Sequence, residues 1–81
     1  MPDTATAPRP LHEIAADIMD TWPEVYFAAI PYVDAMRHLD KITDSYGWDD
    51  AQGIVLRFLG NARTWRGEDA KRIKAELRAM L

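Results

Sequence analysis

Apolar positions recur with a helical period in two long tracts of the chain. Leu11, Ile14, Ala15, Ile18, Met19 and Trp22 fall at i, i+3, i+4, i+7, i+8 and i+11, one stripe of an amphipathic helix. Pro10 suits a first-turn position and Pro23 stops the pattern, so a helix is predicted over 10–22. Ala51, Ile54, Val55, Phe58, Leu59 and Ala62 repeat the same spacing. Asp49 and Asp50 precede them as a capping acceptor and a charge favoured by the helix dipole, predicting a start at Trp48 or Asp49. Between these tracts, Pro31 opens a shorter helix to about Leu39, with Tyr32, Val33, Met36 and Leu39 inward and Asp34, Arg37 and His38 outward. A fourth helix follows a bend before Gly67, with Glu68 and Asp69 in its first turn and Ala70, Ile73, Leu77, Met80 and Leu81 inward.

The chain is organised around residues 22–36, its most apolar run, which holds four of the eight aromatic residues. Pro23 and Pro31 forbid one straight helix through it. Residues 24–30 read as a helical turn or an irregular aromatic bend. A strand there has no partner to pair with. Residues 40–48 form a polar connection in which Gly47 suits a left-handed turn. Residues 1–9 are small, polar and Pro-rich, a composition that predicts a disordered arm. The expected fold is therefore all-α: a compact single domain over 10–81, a bundle of about four short helices whose last two form a C-terminal αα-hairpin. Ile18, Val33, Phe58 and Ile73 are expected in one buried cluster.

Composition narrows the function mainly by exclusion. With no cysteine, disulfide frameworks and thiolate catalysis are ruled out and most structural zinc sites with them. No run of about 18 apolar residues is present, and the first ten residues contain no apolar segment of signal-peptide type. A cytoplasmic location without membrane contact is the expectation. The net charge of −3 conceals a polarity: residues 1–50 carry three basic against ten acidic side chains, residues 51–81 seven against three.

No catalytic constellation is visible. Ser45 is the only serine, and His12 and His38 are scattered, whereas a triad needs nucleophile, base and orienting acid to converge. Asp34 and His38 have the i, i+4 spacing of metal ligands but supply two where three are usual, so an ion pair is the reading. His12 borders the stripe of the first helix. Asp49, Asp50, Glu68 and Asp69 are accounted for as helix caps. No Gly-rich phosphate loop occurs. Neither an enzyme, a cofactor, a metal nor a small-molecule substrate is expected.

Several strings resemble a family of short helical proteins from actinobacteria and their phages. They are Val25-Tyr26-Phe27, Pro31-Tyr32 with Asp34-Ala35-Met36, Tyr46-Gly47, Val55-Leu56 with Phe58-Leu59, Asn61-Ala62 and Thr64-Trp65-Arg66-Gly67. Lys74-Ala75-Glu76-Leu77 and Met80-Leu81 complete the pattern, which covers 11–81. The resemblance implies a small phage or mobile-element protein and brings no site residue with it.

Two interaction surfaces follow from the residues themselves. Gly53 and Gly60 lie seven apart on the back of the third helix, with Leu56 beside them. Each glycine costs on the order of 1 kcal/mol of helix propensity, so close backbone approach is expected, from the first helix or from a second copy. Ala75 and Ala79 on the last helix point the same way. Trp48, outside every stripe, is either an interface anchor or a hydrophobic staple over the third helix. Trp22, Tyr26, Phe27, Tyr32, Phe58 and Trp65 are expected in the core. The leading expectation is a non-catalytic protein-interaction module acting on a host protein or on itself. The alternative is a nucleic-acid-binding protein. Lys71, Lys74 and Arg78 share one stripe of the last helix, with Arg57, Arg63 and Arg66 upstream; Arg72 is partly engaged by Glu76 at i+4.

Overall fold

The computed structural model describes residues 9–81; the predicted arm falls outside them except for Arg9. Four α-helices follow in order: α1, Leu11–Thr21; α2, Ile30–Met36, entered through a 3-10 turn at Phe27–Ala29; α3, Ala51–Gly60; and α4, Glu68–Met80. Two two-residue strands, β1 (Ser45–Tyr46) and β2 (Asp49–Asp50), pair antiparallel before α3. The mostly helical bundle expected from the periodicity is the observed fold. The β pair is an addition to it: Gly47 takes φ +65, the left-handed turn that lets the polar connection double back on itself.

Local chemistry sets the helix ends. Helix α1 has no side-chain cap. Its free N–H groups are satisfied instead by the chain that leaves α2: Leu11 N–H donates to the Asp40 carbonyl (2.8 Å) and His12 N–H to that of Leu39 (2.9 Å). The orphan donors of one helix thereby fasten it to the end of another. Helix α3 starts at Ala51 rather than two residues earlier, because Asp50 is the cap: its Oδ1 accepts from Gly53 N–H at 2.7 Å. Asp49 is left to pair with Arg57 at 3.3 Å. Asp44 organises the preceding loop by accepting from the backbone N–H groups of Lys41 (2.9 Å) and Asp40 (3.2 Å), and these two donors hold its carboxyl below the ordinary carboxylate range.

Ile18, Val33, Phe58 and Ile73 do share one buried cluster, to which all four helices contribute. Helix α2 packs against both α1 and α3, and α4 lies against α1. The consecutive helices α3 and α4 approach each other less closely than either approaches its main partner, so the expected αα-hairpin is an open one. Trp65, in the connection between them, bridges the opening: it stacks on Trp22 with ring centroids 5.0 Å apart and planes 3° from parallel, and both rings meet Phe58 edge-on at 6.4 Å.

Other inward assignments are corrected. Met19 and Leu81 lie on the predicted stripes but are exposed, as are Tyr26 and Phe27. Among the surface pairs, Asp34 bonds Arg37 (3.3 Å) rather than His38, whose ring stacks on Tyr46 at 5.5 Å. Arg72 reaches Asp17 (2.9 Å) and Asp69 (3.0 Å) instead of Glu76, because Glu76 is held by Arg9 in a two-pronged contact of 2.7 and 2.8 Å. Arg9 also donates to Asp17 at 3.1 Å. One network thus ties the segment before α1 to both α1 and α4, and Arg9 belongs to the folded body rather than to a loose arm.

Asp17 is the hub of that network. Arg72 first, then Arg9, hold its carboxyl below the ordinary value of 3.8. A carboxylate whose pKa is depressed by folding contributes stability that is present above the unfolded value and lost as the pH falls through the folded one. Asp17→Asn is therefore expected to lower the melting temperature by a few degrees at pH 7, with the gap from wild type closing below pH 3.8. Melting curves of both proteins between pH 7 and pH 2 check this. A gap independent of pH would mean that the ion pairs contribute nothing.

Candidate functional site

The most apolar run of the chain leaves several large hydrophobic side chains on the surface. Helix α1 ends at Thr21, and Pro23 turns the chain away before the 3-10 turn leads into α2. From there Ala29, Val33 and Met36, at spacings of four and three, face the core. That register forces the alternate positions outward: Phe27 is 74% exposed, Ile30 50% and Tyr26 44%. The rings of Tyr26 and Phe27 meet edge-on, 4.9 Å between centroids. Met19 joins Ile30 in a groove of about 400 Å³ whose floor is made by Trp22, Val25 and Val33. Glu24, Asp34 and Arg37 also line it, and the Arg37–Asp34 pair leaves Glu24 as its one uncompensated charge. Sequence reasoning placed Tyr26 and Phe27 in the core. Stepping back from Val33 by one helical turn, to Ala29, is the signal that identifies them as outward.

The residues proposed for an interface on α3 are brought together only in part. Gly53, Leu56 and Gly60 share one side of the helix, and Leu56 is 58% exposed. No neighbouring backbone approaches either glycine, which corrects the expectation of close packing by α1. A β-carbon at Gly60 would meet nothing within 4 Å. One at Gly53 would lie 2.9 Å from Asp50 Oδ1, so Gly53 makes room for the helix cap. Trp48 stands fully exposed at the β-turn and is no staple over α3.

The basic residues converge. Arg63, Arg66, Lys71, Lys74 and Arg78 line a single concavity of about 560 Å³ beside the start of α4, floored by Trp65 and Ala70. Arg57 is not among them, being bonded to Asp49. The loop reaches α4 through Gly67, at φ +110 and ψ −178, a region essentially restricted to glycine. Lys74 Nζ donates to the Trp65 carbonyl at 2.6 Å and lies 6.0 Å from that ring's centroid. Burial, and then the like charges of Arg78 and Arg66, push its ammonium below the usual lysine range.

Among the described residues no group of three or more His, Asp or Glu side chains is placed to hold a metal ion, and no polar or charged side chain is buried. Among the described residues no helix is long and apolar enough to cross a membrane. Comparison with protein-family models, with curated proteins and with solved structures finds no match.

Proposed function

We propose that this domain is a non-catalytic protein-interaction module that engages its partner through the apolar face around Phe27 and Ile30. The observation that carries this reading is the exposure of Met19, Tyr26, Phe27 and Ile30 beside an apolar groove. Single exposed hydrophobes are ordinary, but a contiguous set of large ones marks a surface that another molecule covers. The mix is that of an interface centre, two aromatics, an isoleucine and a methionine with charge at its edge. The resemblance to short phage-encoded proteins would make the partner a host protein, met in the host cytoplasm; a second copy of the chain would satisfy the same face.

The test is a comparison of wild type with Phe27→Ser/Ile30→Asp, both positions being at least half exposed, so that melting temperature is expected to stay within a few degrees. A concentration-dependent dimer in sedimentation velocity that the variant loses identifies self-association. A protein from a bacterial lysate, retained by wild type and released by the variant, identifies a separate partner. A variant that retains the same mass and the same proteins as wild type refutes the reading.

A further inference from the structure

The five cations around the start of α4 have no part in the apolar face, and we propose that they form a second site, which grips the phosphate backbone of duplex nucleic acid without reading its sequence. Among the described residues, Arg9, Arg37, Arg57 and Arg72 are all bonded to carboxylates. Among those same residues, Arg63, Arg66, Lys71, Lys74 and Arg78 have no carboxylate within 4.0 Å, and no acidic one of them lines the groove. Like charges crowded without counterions repel one another. Lys74 is held below the usual lysine range first by burial and then by repulsion from Arg78 and Arg66, and an anion entering the groove relieves the repulsion.

The form of the groove selects the kind of anion. Lys71, Lys74 and Arg78 stand at i, i+3 and i+7, so they run about 10 Å along α4 by helix rise. Duplex nucleic acid carries a charge every ~1.7 Å of its axis, dense enough to engage several of these cations at once. A single strand is held by stacking on exposed aromatic rings, and the only ring here, Trp65, is 4% exposed and already stacked on Trp22. An acidic peptide draws its affinity from large apolar anchors in pockets, and the apolar lining of this groove is Trp65 and Ala70, both buried, with only the small Ala75 exposed. A bilayer surface favours apolar side chains projecting from the basic face, where this face is concave.

The experiment is fluorescence anisotropy of the full chain with a labelled random-sequence 20-bp DNA duplex, run from 20 to 300 mM salt. The same-length single strand and phosphatidylserine-containing vesicles are tested in parallel. Micromolar duplex binding is expected, with log K falling against log salt at a slope of about −4.5 for five contacts. Lys71→Glu/Arg78→Glu should weaken it at least tenfold and flatten the slope by about two. Arg57→Gln, on a residue engaged by Asp49 and outside the groove, should change it less than twofold. Circular dichroism melts of each variant establish that it is folded, and Lys71→Gln/Arg78→Gln, which only neutralises charge, repeats the test if the reversal unfolds. The proposal is overturned if the duplex stays unbound at 20 mM salt, if the variants bind as wild type does, or if the single strand or the vesicles bind more tightly than the duplex.

Discussion

Phe58→Ala is expected to cost about 3–5 kcal/mol, close to the whole stability of a domain this small. The side chain is fully buried, on the inward stripe of α3. Its ring is met edge-on by Trp22 from the end of α1 and by Trp65 from the connection to α4. Truncation removes the apolar area and also leaves a cavity between two indoles already fixed by stacking on each other. They cannot collapse into it without giving up that stack, so the cavity cost is felt nearly in full. Stabilities of about 0.05–0.15 kcal/mol per residue leave a chain of 81 residues little margin. Urea unfolding of Phe58→Ala should show a midpoint near zero denaturant, with Phe58→Leu between it and wild type. An unchanged midpoint would mean that Phe58 does not sit where α1, α3 and α4 meet.

Most of that core was legible because helical periodicity is a strong signal where the period runs unbroken. The stripes of α1 and α3 identify Leu11, Ile14, Ile18, Ile54, Val55 and Phe58 correctly, all buried. The stripes of α1 and α4 misplace Met19 and Leu81 respectively, since a stripe gives the direction of a side chain and not how far the neighbouring helix extends to cover it. The segment between the prolines was the hardest to read. Apolar content there suggested burial, yet a 3-10 turn followed by a seven-residue helix has one narrow inward edge, and Ala29, Val33 and Met36 occupy it. Tyr26, Phe27 and Ile30 are consequently left in solvent. The candidate sites divide in the same way. The basic stripe of α4 follows from spacing, and the structure brings Arg63 and Arg66, already singled out upstream, to line the same groove. The glycines of α3 misled because propensity is silent on local reasons for a small residue, such as the space that Asp50 needs at Gly53. Ion pairs across 67 residues of chain, such as Arg9 with Glu76, leave no trace in local spacing.

Trp65→Ala is expected to be nearly as damaging as loss of Phe58, about 3–5 kcal/mol, although Trp65 belongs to no helix. Consecutive helices in a small bundle normally hold each other along their length; here α3 and α4 make little direct contact, and the connection between them is anchored by the 4%-exposed indole. Its parallel contact with Trp22, 5.0 Å between centroids, ties that connection to the end of α1, the helix on which α4 also rests. The stack can be isolated with Trp22→Leu and Trp65→Leu, which keep much of the apolar volume while removing the ring faces. Each single variant should lose stability, and the double variant should lose about 0.5–1.5 kcal/mol less than their sum, the usual worth of an aromatic pair beyond its area. Urea unfolding of the four proteins at one temperature measures that coupling. Strictly additive losses would mean that the two indoles act only as separate apolar fillers, and the closure of α4 onto α1 would then rest on Ala70, Ile73 and Leu77 together with the Arg9–Asp17–Arg72 network.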